Sequence, residues 1–345
     1  MKIKKCLSFD DILLVPRMSD IVSRSEIDIN TNIGGGISLN LPVISSPMDT
    51  VTESDMAVGM DQNGGLGIIH RYNTVENQCE IVKTAISRNA YHVGAAIGVS
   101  GDYIERARSL ISAGATILCV DIAHGHHTLM RHALSTLRNT LGHDVHIMAG
   151  NVATREGYES LADWGATSVR VGIGGGSICS TRIQTGHGVP TFQSILDCSE
   201  SSYTFDVPIV ADGGIKNSGD IVKALAAGAS SVMLGSLISG TEESPGVKIS
   251  RDGLVYKEYR GMASSRAQIN WRGKIASREG VAALVPYKGP VCEILKSLEA
   301  GIRSGLSYTG SKNIEHFQAT SEMIIQTSAG IAESNTHVFS RGLKF

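Results

Sequence analysis

Eight short apolar, β-branched runs recur along this chain at regular intervals, and they constrain its fold more than any other feature. They are Leu41–Ser46, Gly65–His70, Val93–Val99, Thr116–Ile122, Val145–Gly150, Ser168–Gly172, Val207–Ala211 and Ser231–Leu234. Stretches with helical spacing lie between most of them, among them Asp102–Ala113, Leu129–Leu141, Arg155–Trp164 and Ser218–Ala227. Such alternation implies parallel strands joined by crossover helices. The runs are apolar throughout rather than at every second position, so both faces of each strand are covered. Eight units of this kind close an α/β fold of the (β/α)8 TIM-barrel type. An open, doubly wound sheet is the rival arrangement, although no G-x-G-x-x-G follows the first strand. Four helices end on small residues with a glycine, at Asn63-Gly64-Gly65, Ser112-Ala113-Gly114-Ala115, Trp164-Gly165-Ala166 and Ala227-Gly228-Ala229, as C-caps before the next strand do.

With 345 residues, 42% of them hydrophobic and 19% charged, the chain can bury one large core and reads as a single domain over residues 1–345. A formal net charge of -2 gives no global pull toward nucleic acid or membrane, so any anion site is local. No apolar run approaches the ~18–20 residues of a bilayer span, and Met1–Arg17 lacks the pattern of a signal peptide. The six cysteines form no CxxC pair and read as reduced thiols, mostly core fillers, in a cytoplasmic protein. Two segments leave the repeat. Residues 240–301 form an insertion after the last strand, with a flap at about 240–290 and a helix from Val291. Residues 302–345 form a polar, Ser/Thr-rich tail able to cover the top face or a neighbour. Long loops in a compact domain are usually functional.

In such a barrel the chemistry sits at the C-terminal ends of the strands. Ser46-Pro47-Met48-Asp49 follows the first strand, Asp121-Ile122-Ala123-His124-Gly125 the fourth, and Gly150-Asn151 the fifth. The sixth is followed by a glycine-rich loop, Gly172 to Arg182, the seventh by Asp212-Gly213-Gly214, and the eighth by Gly235-Ser236. Glycines let backbone N–H groups approach an oxyanion, and a serine adds a hydroxyl donor, so the last two loops read as a phosphate site. Turn geometry alone explains any one of these loops; three on one rim favour a binding site. Asp121 is placed to accept from a ribose hydroxyl. His124, His126 and His127 have no Asp, Glu or Cys partner at ligand spacing and read as solvent-facing loop residues.

Cys179 stands apart from the other cysteines. It lies in the glycine-rich loop on the catalytic face, directly before Ser180, Thr181 and Arg182. Exposed N–H groups and a nearby arginine favour thiolate, and a hydroxyl neighbour suits a nucleophile that approaches an electrophilic carbon and then withdraws.

These residues resemble the IMP dehydrogenase/GMP reductase family along nearly the whole chain. The likeness runs through Ser8-Phe9-Asp10-Asp11, Pro47 to Glu53, Gly65 to His70, Gly150 to Thr154, Gly172 to Arg182, Ala211 to Gly214, Met233 to Ser236, Tyr259-Arg260-Gly261-Met262, Glu279-Gly280 and Val285 to Gly289. The resemblance implies that Cys179 attacks C2 of a purine mononucleotide and that Thr181 and Glu279 relay protons. It assigns Ser46, Met48, Ser177, Asp212, Gly213, Gly214, Gly235, Ser236, Tyr259, Gly261, Met262 and Ala263 to the nucleotide. Asp121, Ala123, Asn151 and Gly172 fall to the nicotinamide cofactor, and the carbonyls of Gly174, Gly176 and Cys179 to K+. It also implies a homotetramer. Gly175 stands where proline is usual in the family, and Ser180 where threonine is usual.

Two reactions are open. A dehydrogenase oxidises IMP with NAD and hydrolyses the adduct to XMP; a reductase expels ammonia from GMP and takes hydride from NADPH, giving IMP. Hydrolysis needs a water-activating base, which in the dehydrogenases resembles an Arg-Tyr pair on a mobile flap. The matching stretch here, Ala263 to Glu279, is short and has no Arg-Tyr; only Arg266, Arg272 and Arg278 remain as candidates. The link from Arg71 to His92 lacks the paired regulatory (CBS) module that dehydrogenases usually insert there, and Asn335-Thr336 with Val338-Phe339-Ser340 looks like a reductase tail. Ser46 to Asp49 and Ala123 to His126 look more like a dehydrogenase. The flap bears directly on the step that differs, so the reductase is favoured. Two other classes stay open: a flavin-dependent barrel, marked by bound yellow chromophore, and a non-catalytic nucleotide binder, which would tolerate Cys179→Ala.

Overall fold

Each of the eight runs forms a strand in the computed structural model, which describes residues 3–273 and 279–334; most are trimmed at an end, while the fifth and seventh run on to Val152 and Asp212. In chain order these are β1 (Val43–Ser45), β2 (Leu66–Ile69), β3 (Val93–Ile97), β4 (Ile117–Asp121), β5 (His146–Val152), β6 (Ser168–Val171), β7 (Ile209–Asp212) and β8 (Ser231–Leu234). They pair in parallel around one closed barrel, β8 against β1, which excludes the open sheet.

Alternation within the strands divides the core. Ile44, Leu66, Ile68, Ala96, Ile117, Cys119, Met148, Val210 and Met233 form one buried cluster, and their strand neighbours Val43, Ile69, Ala95, Leu118, Ile147 and Val232 belong to another. Successive side chains point to opposite faces, so the first set fills the lumen and the second meets the helices. A short hairpin, Thr31–Asn32 against Ser38–Leu39, adds Ile33 and Leu39 to the lumen cluster.

The outer helices are α1 (Ser54–Gln62), α2 (Val75–Ser87), α3 (Tyr103–Ser112), α4 (Thr128–Leu141), α5 (Arg155–Asp163), α6 (Thr191–Phe205), α7 (Ser218–Ala226) and α8 (Val291–Ser307). Helix α4 buries Met130, Ala133, Leu134 and Leu137, the 3.6-residue stripe that its sequence spacing promised. Side-chain caps fix several entries: Thr154 accepts from Gly157 N at 3.2 Å and Asn217 from Asp220 N at 2.9 Å. The link between β2 and β3 holds the single helix α2.

The insertion is more ordered than its sequence suggested. Strands β9 (Ile249–Arg251), β10 (Leu254–Arg260) and β11 (Ala282–Pro286) make an antiparallel sheet, and a helix covers Ser265–Arg272. The polar tail is also corrected. Helix α8 continues past residue 301, a helix at Ile314–Thr320 buries Ile314 and Phe317, and Met323–Ile325 pairs antiparallel with Ile12–Leu14. Among the described residues, no helix is long and apolar enough to cross a membrane. The tail residues Asn335 to Ser340, and Arg278 in the flap, lie outside the described residues.

Candidate active site

The loops at the C-terminal ends of the strands surround a cavity of about 430 Å³. The loop after β6 brings Gly172, Gly174, Gly176, Ser177, Cys179 and Thr181 to it. Asp121 and Ala123 come from β4, Asn151 from β5, Asp212, Gly213 and Gly214 from β7, and Gly235 and Ser236 from β8. Ser46 and Met48 follow β1, while Tyr259, Gly261, Met262, Ala263 and Glu279 come from the insertion. Every residue that the family resemblance assigned to catalysis, the nucleotide, the nicotinamide cofactor or K+ therefore lines one cavity.

Gly172 allows the β6 and β7 loops to touch. Its φ is +143°, and a Cβ there would sit 2.0 Å from the Asp212 carbonyl oxygen. Beyond it, the Cys179 N–H donates to the Gly176 carbonyl at 3.1 Å, Ser180 N to Glu279 O at 3.1 Å, and Val281 N to Ile178 O at 3.1 Å. The last two bonds stitch the loop to the returning end of the flap and bring Glu279, ninety-eight residues on from Thr181, beside it. The Cys179 thiol donates to Thr181 Oγ1 at 3.2 Å, and that hydroxyl donates to Glu279 Oε2 at 2.9 Å. A proton can thus leave sulfur and reach a carboxylate through one hydroxyl. The arginine expected beside the thiol is not its partner: Arg182 donates to the Val189 carbonyl at 2.7 Å, and Thr181 takes that place.

Opposite lies a cradle. A Cβ on Gly235 would meet the Tyr259 hydroxyl at 2.7 Å, Ser46 Oγ at 3.3 Å and Met48 Sδ at 3.4 Å, so an absent side chain keeps this space. Ser46 Oγ is buried without a hydrogen-bond partner among the described residues. Burial pushes Tyr259 up to about 12, against a hydrogen bond with Ser177, so its hydroxyl stays a donor at neutral pH. Arg260 donates to Asp49 at 2.6 Å, which fastens the Tyr259 to Met262 segment to the loop after β1.

The cavity also holds residues that the sequence did not point to, above all Arg170 on β6. Its guanidinium donates to Asp121 Oδ1 at 2.7 Å and to Asp212 Oδ2 at 2.8 Å. Asn151 Nδ2 donates to the same Asp212 oxygen and to the Gly172 carbonyl, both at 2.8 Å. Burial pushes Asp121 up, but the Arg170 and Arg71 guanidiniums outweigh it and hold the carboxyl below its usual range. The only local clue was an arginine inside the apolar run Ser168–Val171. Arg71, Tyr72 and Gln268 also line the cavity, and Tyr72 stacks on Trp271 of the flap helix, ring centroids 5.8 Å apart.

His127 caps α4 by accepting from Leu129 N at 3.0 Å, and His126 bonds Ser160 at 3.2 Å. Among the described residues, no three His, Cys, Asp or Glu groups are placed to hold a metal ion. Arg266 is exposed and pairs with Glu258 at 3.2 Å.

The departure at Gly175 has a spatial reason. A Cβ there, as proline would bring, lands 2.4 Å from Thr191 Oγ1, which is buried and unpaired among the described residues. Gly175→Pro is therefore expected to destabilise the protein by about 1–3 kcal/mol, and adding Thr191→Ala should restore most of the loss. Thermal unfolding of both variants checks this; equal losses in the two would contradict the clash.

A profile described as "IMP dehydrogenase / GMP reductase domain" matches residues 6–337. An inosine-5'-monophosphate dehydrogenase of Nitrosopumilus maritimus is 36% identical, covering 98% of this chain and 99% of its own, and one of Cryptosporidium parvum is 40% identical, covering 97% and 96%. A GMP reductase of Leishmania major is 32% identical, covering 97% of each chain. A solved GMP reductase of Trypanosoma brucei, a cysteine-to-alanine variant in complex with guanosine 5'-monophosphate, superposes with a TM-score of 0.93 at 29% identity, covering 98% of this chain and 99% of its own.

Proposed function

The chain belongs to the IMP dehydrogenase/GMP reductase family of oxidoreductases, and we propose that it is a GMP reductase, converting GMP to IMP and ammonia with NADPH. The observation that carries this reading is the Cys179–Thr181–Glu279 chain of hydrogen bonds, at 3.2 and 2.9 Å. It stands beside a flap whose sequence has no Arg-Tyr pair to activate water.

Sulfur of Cys179 bonds to C2 of the purine as its proton passes through Thr181 to Glu279. The C2–N bond then breaks, and the proton returns along the same path to the departing amine, which leaves as ammonia. What remains is a thioimidate on Cys179. NADPH, when bound, supplies the hydride that replaces sulfur at C2 and frees IMP. Ser177, Ser236, Tyr259 and the Gly213, Gly214 and Gly235 backbone hold the phosphate, with Ser46 and Met48 beside it. Asp212 takes the ribose, and Gly261, Met262 and Ala263 face the base. Asp121, Ala123, Asn151 and Gly172 hold the nicotinamide half. The buried, unpartnered Asn151 Oδ1 suits a carboxamide or hydroxyl donor there. The carbonyls of Gly174, Gly176 and Cys179 belong to one loop and are neutral, a donor set suited to a weakly held monovalent cation such as K+ rather than a divalent one; such an ion would stiffen the loop.

An NAD-dependent IMP dehydrogenase is the second reading, favoured by the segments at Ser46 to Asp49 and Ala123 to His126. Against it, the flap has no Arg-Tyr pair, and Arg266 lies beside Glu258 at 3.2 Å. The two readings part on nitrogen: GMP should drive NADPH oxidation with one ammonia released per nicotinamide oxidised. Absorbance loss without ammonia would remove the reductase reading. By the same family likeness we infer a homotetramer; a monomer by light scattering at micromolar concentration would contradict it.

A further inference from the structure

We infer that Arg170 is a positioning residue that couples the two halves of the cavity, so that a nucleotide held by Asp212 tightens binding of the dinucleotide held by Asp121. The inference rests on the assignment of these two carboxylates above. Arg170 lies on β6, between the strands that end in the two aspartates, and its side chain is only 6% exposed. One planar fork spans both, Nη1 at 2.7 Å from Asp121 and Nη2 at 2.8 Å from Asp212. A rigid guanidinium cannot follow a shift of one carboxylate without turning against the other. Asp212 takes Arg170 and Asn151 on the same oxygen, Oδ2, so its second oxygen is the one that can accept from a ligand hydroxyl. Asp121 likewise gives Oδ1 to Arg170, while its Oδ2 lies 3.6 Å from Arg71 Nε.

A ligand that fixes one carboxylate therefore fixes the fork and prepares the other, and the second ligand meets a group already oriented. Desolvation can cancel the Coulombic gain of a buried ion pair, so the pairing is weak evidence for a stabilising role. The place of Arg170 between two carboxylates on the cavity wall points instead to positioning.

The test is the Kd of NADP+ with and without saturating GMP, a pair that binds but cannot turn over in a reductase. In the wild-type protein GMP should tighten NADP+ by about 5–10-fold, the low end of usual coupling. In Arg170→Lys, which keeps the charge but loses the fork, that factor should fall to about one, with each ligand alone still binding within about tenfold. A purely structural role would lower the unfolding temperature and leave the coupling factor intact. If Arg170→Lys does not fold, Asp121→Asn breaks the link from its other end and must show the same fall. A variant that keeps the wild-type factor, or a wild type with no coupling, overturns the inference. A wild type that binds neither ligand overturns the functional reading itself, a distinguishable result.

Discussion

Replacing Cys179 by alanine should abolish turnover while leaving nucleotide affinity within roughly tenfold, about 1.4 kcal/mol. Sulfur forms a bond only during the reaction, whereas the ground state is held by groups that the substitution leaves in place. Those groups sit on other elements: Tyr259 in the insertion, Gly235 after β8, Asp212 at the end of β7. Removing Sγ takes one hydrogen bond from Thr181, which keeps its bond to Glu279. The loop is anchored by backbone bonds at Cys179 N and Ser180 N, which alanine makes equally well. Steady-state turnover together with the GMP Kd separates the outcomes. Retention of more than a few per cent of activity would remove the covalent mechanism, and a much larger loss of affinity would show that the loop had collapsed.

The second large effect is expected from Glu279→Gln. The amide keeps the shape of the carboxylate and can still accept from the Thr181 hydroxyl, but it cannot take up a proton and return it to the amine. Positioned acid–base groups typically contribute about 10²–10⁴-fold, so ammonia release should slow by that much while GMP binds nearly as before. The prediction concerns the proton path rather than the nucleophile, since Glu279 reaches Cys179 only through Thr181. Thr181→Val should reproduce the loss and Thr181→Ser recover most of it. Turnover of Glu279→Gln within threefold of wild type would mean that the proton reaches the amine by another route.

The barrel was legible in the sequence because its strands are covered on both sides. A run such as Ile117–Asp121 is apolar at every position but the last, and the exception is the residue that faces the cavity. The strand ends were legible for the same reason, since polar and glycine residues interrupt the apolar runs where the chain reaches the rim. Contacts between distant segments were hidden. Arg170 finds its two carboxylates 49 and 42 residues away, and its place inside an apolar run does not say which partners it meets. Arg182 misled in the opposite way: it follows Cys179 closely in sequence, but the turn at Thr181–Thr185 carries its side chain toward Val189. The tail read as a polar cover for the top face or a neighbour, yet Ile325 pairs with Ile12, more than three hundred residues before it. Backbone pairing across that separation leaves no trace in composition.

Reaction direction divides the two readings. The purified protein is offered GMP with NADPH and, separately, IMP with NAD, and the nicotinamide absorbance is followed in both. The reductase reading predicts that the first pair turns over to IMP and ammonia and that the second yields little XMP, because Ala263 to Glu279 carries no Arg-Tyr pair to activate water. Formation of XMP from IMP and NAD at an ordinary enzymatic rate, about 1–10 per second, with GMP and NADPH inert, would contradict it.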